Sequence, residues 1–272
     1  MIIDGHAHTF GEFSKTETLI PLMDKLGVDK VVLCPGGSEP DAEFKIPKVK
    51  ESRIIKIPYL FVLGNIFYLR LKGKKFPPPN NDYVFSLIQE CPDRLIQFFW
   101  IDPHDPNLEE NLKINYDKMS FSGIKLHQCL NKFSISDEGM EMISKFANDK
   151  KLPIFIHLYT FREARKLVRL ARKYPQVNYI IAHMMGFETV ARRGRDLKNI
   201  YFDISPYYII SEKRIHLALE KFGDSNVLLG TDSPLGDRNL ELNIEKIKKM
   251  DLSESQKKKI LGENIAKLLD IN

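Results

Sequence analysis

Residues 1–11 read MIIDGHAHTFG, an apolar, β-branched run that ends in two histidines one position apart. Such a run reads as a buried strand rather than a helix, because it is short and closes on polar and glycine residues. Successive strand side chains point to opposite faces, so His6 and His8 face the same way. With seven histidines in 272 residues, an H-x-H pair can also arise by chance. Its meaning depends on what the other strands bring beside it.

Seven further runs of the same kind follow: VDKVVLCPGG, DRLIQFFWIDP, SGIKLHQ, LPIFIHL, VNYIIAHMMG, NIYFDIS and NVLLGTDSP. From the fourth onward they start near residues 122, 152, 177, 199 and 226, which leaves room each time for one helix and two short loops. Strand–helix alternation calls for a parallel sheet with right-handed crossovers, and eight units close into a (β/α)8 TIM barrel, an α/β fold. A doubly wound open sheet normally carries a glycine-rich phosphate loop after its first strand, and DGHAHTFGEF has none. A length of 272 residues fits one such domain.

One interval breaks the rhythm. About 65 residues separate the starts of strands two and three, and the excess, residues 38–80, is expected to be an insertion on the barrel's C-terminal face. An insertion there acts as an active-site lid or a dimer contact. The C-terminal LSESQKKKILGENIAKLLDIN reads as two short helices, with Ser253 and Gln256 as a capping box and Gly262 as a stop.

Composition narrows the function classes. The net charge of +5, from 41 basic and 36 acidic residues, is a mixed surface rather than a nucleic-acid footprint. Cys34, Cys91 and Cys129 are widely spaced and form no C-x-x-C, which fits a reducing compartment. No signal-peptide pattern opens the chain, so a cytoplasmic protein is expected. The apolar stretch at residues 57–71 falls short of the roughly 20 residues that cross a bilayer, and no membrane partner is expected.

Polar residues close several strands. His157 ends PIFIH, His183 ends YIIAH and Asp232 follows VLLGT, and barrel active sites are assembled at strand C-termini of this kind. Imidazoles with a carboxylate are the borderline ligand set of Zn²⁺, with Mn²⁺ and Fe²⁺ also suited. Lys125 and His127 form a second i, i+2 pair on the fourth strand. Several arginines follow the same rim, of which Arg162 and Arg238 lie nearest in sequence to these residues and suit bidentate binding of a carboxylate or phosphate. Asp102 and Asp203 also stand at strand ends, where either can cap the next helix.

Together the DGHAH pair, GIKLH, His157, His183 and GTDSP, in that order, resemble the amidohydrolase superfamily, and within it the amidohydrolase-2 branch, which also contains non-oxidative decarboxylases. ILGENIAKLL resembles the closing helix of that branch. The resemblance implies one divalent metal, most simply zinc, held by His6, His8, His157 and Asp232, with His183 just outside the ligand set. A bound ion lowers its water's pKa to about 7. Asp232 would take the water's proton and pass it to the leaving group, and His183 would orient the water or polarise a carbonyl. Lys125, His127, Arg162 and Arg238 would bind substrate.

The activity expected first is hydrolysis of an amide or ester bond, cyclic forms included, in a small and anionic molecule, by a homodimeric enzyme. Decarboxylation of an aromatic or enoic acid on the same site is the alternative. A nuclease of the TatD type is less favoured, since those proteins carry a glutamate where this chain has Lys125.

Overall fold

The computed structural model describes residues 1–36, 64, 79–236 and 238–271. Eight parallel strands run in sequence order around one sheet: β1 (Ile3–His8), β2 (Lys30–Cys34), β3 (Leu95–Trp100), β4 (Gly123–His127), β5 (Ile154–His157), β6 (Tyr179–Ile181), β7 (Ile200–Asp203) and β8 (Val227–Leu228). Each is followed by a helix on the outside: α1 (Thr16–Leu26), α2 (Asn81–Glu90), α3 (Leu108–Met119), α4 (Glu138–Lys150), α5 (Phe161–Lys173), α6 (Phe187–Arg193), α7 (Glu212–Phe222) and α8 (Asn239–Lys249). The ring closes where the chain beyond β8 joins β1. Gly5 N donates to Leu229 O at 2.9 Å, Asp232 N to His6 O at 2.7 Å and His8 N to Ser233 O at 2.7 Å. The chain is therefore the TIM barrel expected from its alternation.

The helices pack because their apolar residues recur with helical period. In α5 the buried residues Ala164, Leu167, Val168 and Ala171 form one stripe, and Thr160 caps the first turn by accepting from Glu163 N. Inside the ring, Val32, Ile96, Phe98, Phe155, Ile180 and Leu228 form a separate apolar cluster that Ile265 and Ala266 also join. Gly123 makes room there: a Cβ on it would fall 2.5 Å from the Phe98 ring.

The C-terminal segment starts as expected, with the Ser253–Gln256 capping box on α9 (Glu254–Lys258). The stop assigned to Gly262 is corrected. The helix continues through it as a π turn (Lys259–Glu263) into α10 (Asn264–Leu268). Gly262 is needed instead for close approach, since a Cβ there would stand 2.6 Å from Met1 O. The expected insertion lies almost wholly outside the described residues, and so does the apolar stretch at 57–71. Among the described residues no helix is long and apolar enough to cross a membrane.

Candidate metal centre

The ends of β1 and β8 meet at the closing seam. His6 Nε2 stands 3.2 Å from His8 Nε2, and both lie close to Asp232 Oδ1, at 3.4 and 3.5 Å. All three residues are buried. The protons of the two rings are fixed from behind. His8 Nδ1 lies 3.0 Å from Pro35 O, an atom that can only accept, so that nitrogen carries the hydrogen. His6 Nδ1 faces Ser205 Oγ at 3.1 Å and the Asp203 carboxylate at 3.4 Å.

The His6 and His8 Nε2 lone pairs and a carboxylate oxygen therefore converge. Lys125 Nζ, 2.8 Å from His6 Nε2, can donate to one of them, whereas a divalent cation would satisfy all three. Ligands about 2.1 Å from a tetrahedral ion stand about 3.4 Å apart, and this is the spacing of the triangle. The donor set thus fits a divalent metal on geometry as well as on chemistry. Burial, then the charge of Lys125 and of the neighbouring rings, keeps the His6 pKa well below its ordinary value, and burial also lowers that of His8. Both rings are in the neutral form that binds metal. Burial pushes the Asp232 carboxyl up, but its interactions with His183, His8 and Lys125 together outweigh it and hold it below the usual carboxylate range.

Behind the triangle lies a network that the sequence did not disclose. Asp203, the last residue of β7, is 1 % exposed. It accepts from Ser205 Oγ, from Ser205 N at 3.1 Å and from His183 N at 3.1 Å, so it caps no helix. Burial raises its pKa, opposed by His183 and the Ser205 hydroxyl. Gly230 is the space that admits it, since a Cβ there would fall 2.0 Å from Asp203 Oδ1. Asp4 accepts from Thr231 Oγ1 and from His6 N. Burial pushes its carboxyl up to about 8. A β-bulge between Asp4 and Ala7 delivers His6 and His8 to the rim, a common place for bulges beside active sites.

His183 follows β6 with a left-handed backbone, as do Met184 and Asp232, at φ 55°, 50° and 58°. Non-glycine residues adopt that conformation at a cost, and it concentrates at functional sites. His183 Nε2 stands 3.9 Å from Asp232 Oδ2.

The opposite wall is built by stacking. Trp100, His127 and His157, from β3, β4 and β5, lie nearly parallel, with ring centroids 5.6 and 4.1 Å apart and interplanar angles of 6° and 8°. His157 meets His183 edge to face at 4.7 Å. It is not drawn into the tight triangle. Its Nδ1 groups instead with His127 and Cys129, whose Sγ is 3.8 Å away. Lys125 is wholly buried, with Nζ 2.8 Å from His6 Nε2 and 4.3 Å above the Phe155 ring. Burial lowers its pKa, against the pull of Asp232 and Asp203.

The two arginines selected by sequence proximity are not brought to this cluster. Arg162 is exposed on the first turn of α5, and Arg238 makes a two-pronged ion pair with Glu241 at 2.7 Å. Asp102 accepts from His104 N and Asn131 Nδ2, both at 2.9 Å, and caps no long helix.

A family profile described as amidohydrolase, Amidohydro_2, matches residues 73–271. No curated protein matches the chain by sequence. Solved structures are similar in fold. One is 2,6-dihydroxybenzoate decarboxylase from Rhizobium, with TM-score 0.69 and 14% identity over 99% of this chain and 98% of that one. A second is 5-carboxyvanillate decarboxylase from Novosphingobium aromaticivorans, complexed with manganese and a nitrobenzoic acid, with TM-score 0.64 and 18% identity over 93% of this chain and 79% of that one. A third is 4-oxalomesaconate hydratase from Rhodopseudomonas palustris, with TM-score 0.64 and 15% identity over 99% and 96%.

Proposed function

The chain belongs to the amidohydrolase family Amidohydro_2, and from that premise we propose that it is a metal-dependent lyase that releases CO2 from a small, flat, conjugated carboxylic acid. The observation that carries the metal-dependent part is the His6–His8–Asp232 triangle, whose edges of 3.2 to 3.5 Å match the ligand spacing of one divalent ion. The ion supplies Lewis acidity toward the substrate's oxygens. Zinc suits the donors, and the manganese named for the 5-carboxyvanillate decarboxylase makes that ion an equal candidate.

Two considerations support decarboxylation over the hydrolysis expected first from sequence. The relatives above include two decarboxylases of aromatic acids. In addition, the parallel Trp100–His127–His157 stack is a flat wall suited to a planar substrate, and a conjugated system is what accepts the electron pair left by CO2. One proton must replace each carboxylate lost. Asp232, ionised at rest, would first take that proton from the substrate acid or from water and then pass it to the carbon that loses CO2, with His183 beside it. Lys125, with Nζ at His6 Nε2, would add positive charge toward an anionic substrate. Homodimerisation in the cytoplasm belongs to the same reading and rests on the sequence arguments alone.

Hydrolysis of an amide or ester remains the second reading, because an ionised Asp232 within the triangle also suits the activation of water. The test is direct. Protein reconstituted with Mn²⁺ or Zn²⁺ is offered 2,6-dihydroxybenzoate, 5-carboxyvanillate and a set of aryl and enoic acids, with amides, esters and lactones in parallel. CO2 release abolished by a chelator is the expected result. Turnover confined to the amides or esters would favour hydrolysis, and no turnover in either set would contradict both.

A further inference from the structure

The hydroxyl of Ser205, two residues beyond β7, meets three partners at once. It donates to Asp203 Oδ2, and it stands 3.1 Å from His6 Nδ1 and 3.0 Å from His183 Nδ1. A serine hydroxyl has one hydrogen and two lone pairs. With its hydrogen committed to Asp203, it can only accept from the two rings. His183 Nδ1 also lies 3.0 Å from Ser205 O, a carbonyl that accepts and never donates. Both rings must therefore carry their hydrogen on Nδ1, so neither Nε2 carries one on the side facing Asp232.

We propose that Ser205, oriented by Asp203, is a positioning residue that locks His6 and His183 into one tautomer and so couples a metal ligand to the histidine beside Asp232. The three side chains are 0 to 2 % exposed, so no water competes for the hydroxyl's lone pairs. Gly230 is part of the device, because any side chain there would collide with the Asp203 carboxylate that sets the hydroxyl's direction. The lock reads the cluster as a metal centre, but its tautomers exist before any metal binds.

The test uses the full-length protein with ¹⁵N-labelled histidine. In metal-free wild type, NMR is expected to show His6 and His183 protonated at Nδ1 and bare at Nε2. Ser205→Ala should redistribute the His6 proton between its two nitrogens and weaken Mn²⁺ or Zn²⁺ binding about ten- to a hundredfold, the usual effect of losing a partner behind a metal-binding histidine. His183 should change less, since it keeps the Ser205 carbonyl. Ser205→Thr retains the hydroxyl and should restore both the tautomer and most of the affinity. Asp203→Asn, which removes no volume, should also disturb the His6 tautomer. Unchanged imidazole resonances in Ser205→Ala and Asp203→Asn, or equal losses in Ser205→Ala and Ser205→Thr, would overturn the proposal. Wild-type protein with the expected tautomers but no affinity for divalent metal would leave the lock standing and defeat the metal-centre reading instead.

Discussion

The two halves of the barrel mouth are built by different means. On the side of β7, β8 and β1, Asp203, Ser205, Asp4 and Thr231 connect to His6, His183 and one another through buried hydrogen bonds. On the side of β3, β4 and β5, Trp100, His127 and His157 are held by ring stacking, and His127 Nδ1 is buried with no hydrogen-bond partner among the described residues. Hydrogen bonds fix where protons and lone pairs lie, which a metal ion requires. Stacked rings fix a surface, and the His127 Nδ1 edge is left for a flat substrate to use. The bonded half is therefore assigned to the ion and proton transfer, and the stacked half to substrate.

The largest effect that sharpens this division is on the bonded side. Asp232→Asn keeps the side chain's shape but removes its capacity to hold a proton, so kcat should fall by about a thousandfold or more while some metal is retained. Metal analysis alongside kinetics checks this, and a loss of metal equal to that of His6→Ala would make Asp232 chiefly a ligand. His183→Asn should keep its metal more fully than His6→Ala, because His183 lies outside the His6–His8–Asp232 group proposed to hold the ion.

A smaller effect is expected on the stacked side. Trp100→Leu should raise KM about tenfold, on the order of one aromatic contact's worth of binding, and leave metal content unchanged. Metal loss in that variant would break the comparison, since it would show the stack to be support for the ligands.

The smallest effect concerns the frame behind the bonded half. Lys246 of α8 donates to Tyr207 O and Ile210 O, both at 2.8 Å, and so braces the loop that begins at Ser205. Lys246→Met leaves those acceptors unpaired and should cost about 1–3 kcal/mol at high pH. Burial pushes the Lys246 ammonium down to about 7, below its unfolded value. The unfolded chain thus holds the extra proton between those values, and wild-type stability from this group is full above about 10.4 and is lost as pH falls toward 7. Denaturant titrations should show the gap between wild type and variant widening from pH 7 to pH 9. A gap that narrows over that range would mean the ammonium stays charged in the fold.

What the sequence disclosed follows the same division of labour. Strand ends were legible because a buried apolar run that closes on a histidine or aspartate is unusual, which is how His6, His8, His157, His183 and Asp232 were found. Asp203 closes YFDIS in the same manner, but an aspartate after a strand reads equally well as a helix cap, and only the fold puts it behind His6. Asp4 was hidden by the bulge in β1, a break in period that residue types do not announce. Arg162 and Arg238 are close to site residues along the chain, yet each stands exposed at the start of a helix. The stack was legible only in part, since Lys125 and His127 were marked by their spacing while Trp100 comes from another strand. Gly230 in LLGTD carried a signal too: a glycine just before a site aspartate marks a backbone that another group approaches closely.

The central claim is that one divalent ion sits among His6, His8 and Asp232. Crystals of protein reconstituted with manganese or zinc, measured at the metal's absorption edge, test it most directly. The account expects one anomalous peak per chain within bonding distance of His6 Nε2, His8 Nε2 and Asp232 Oδ1. No peak there, or a peak held instead by His127, Cys129 and His157, would contradict it.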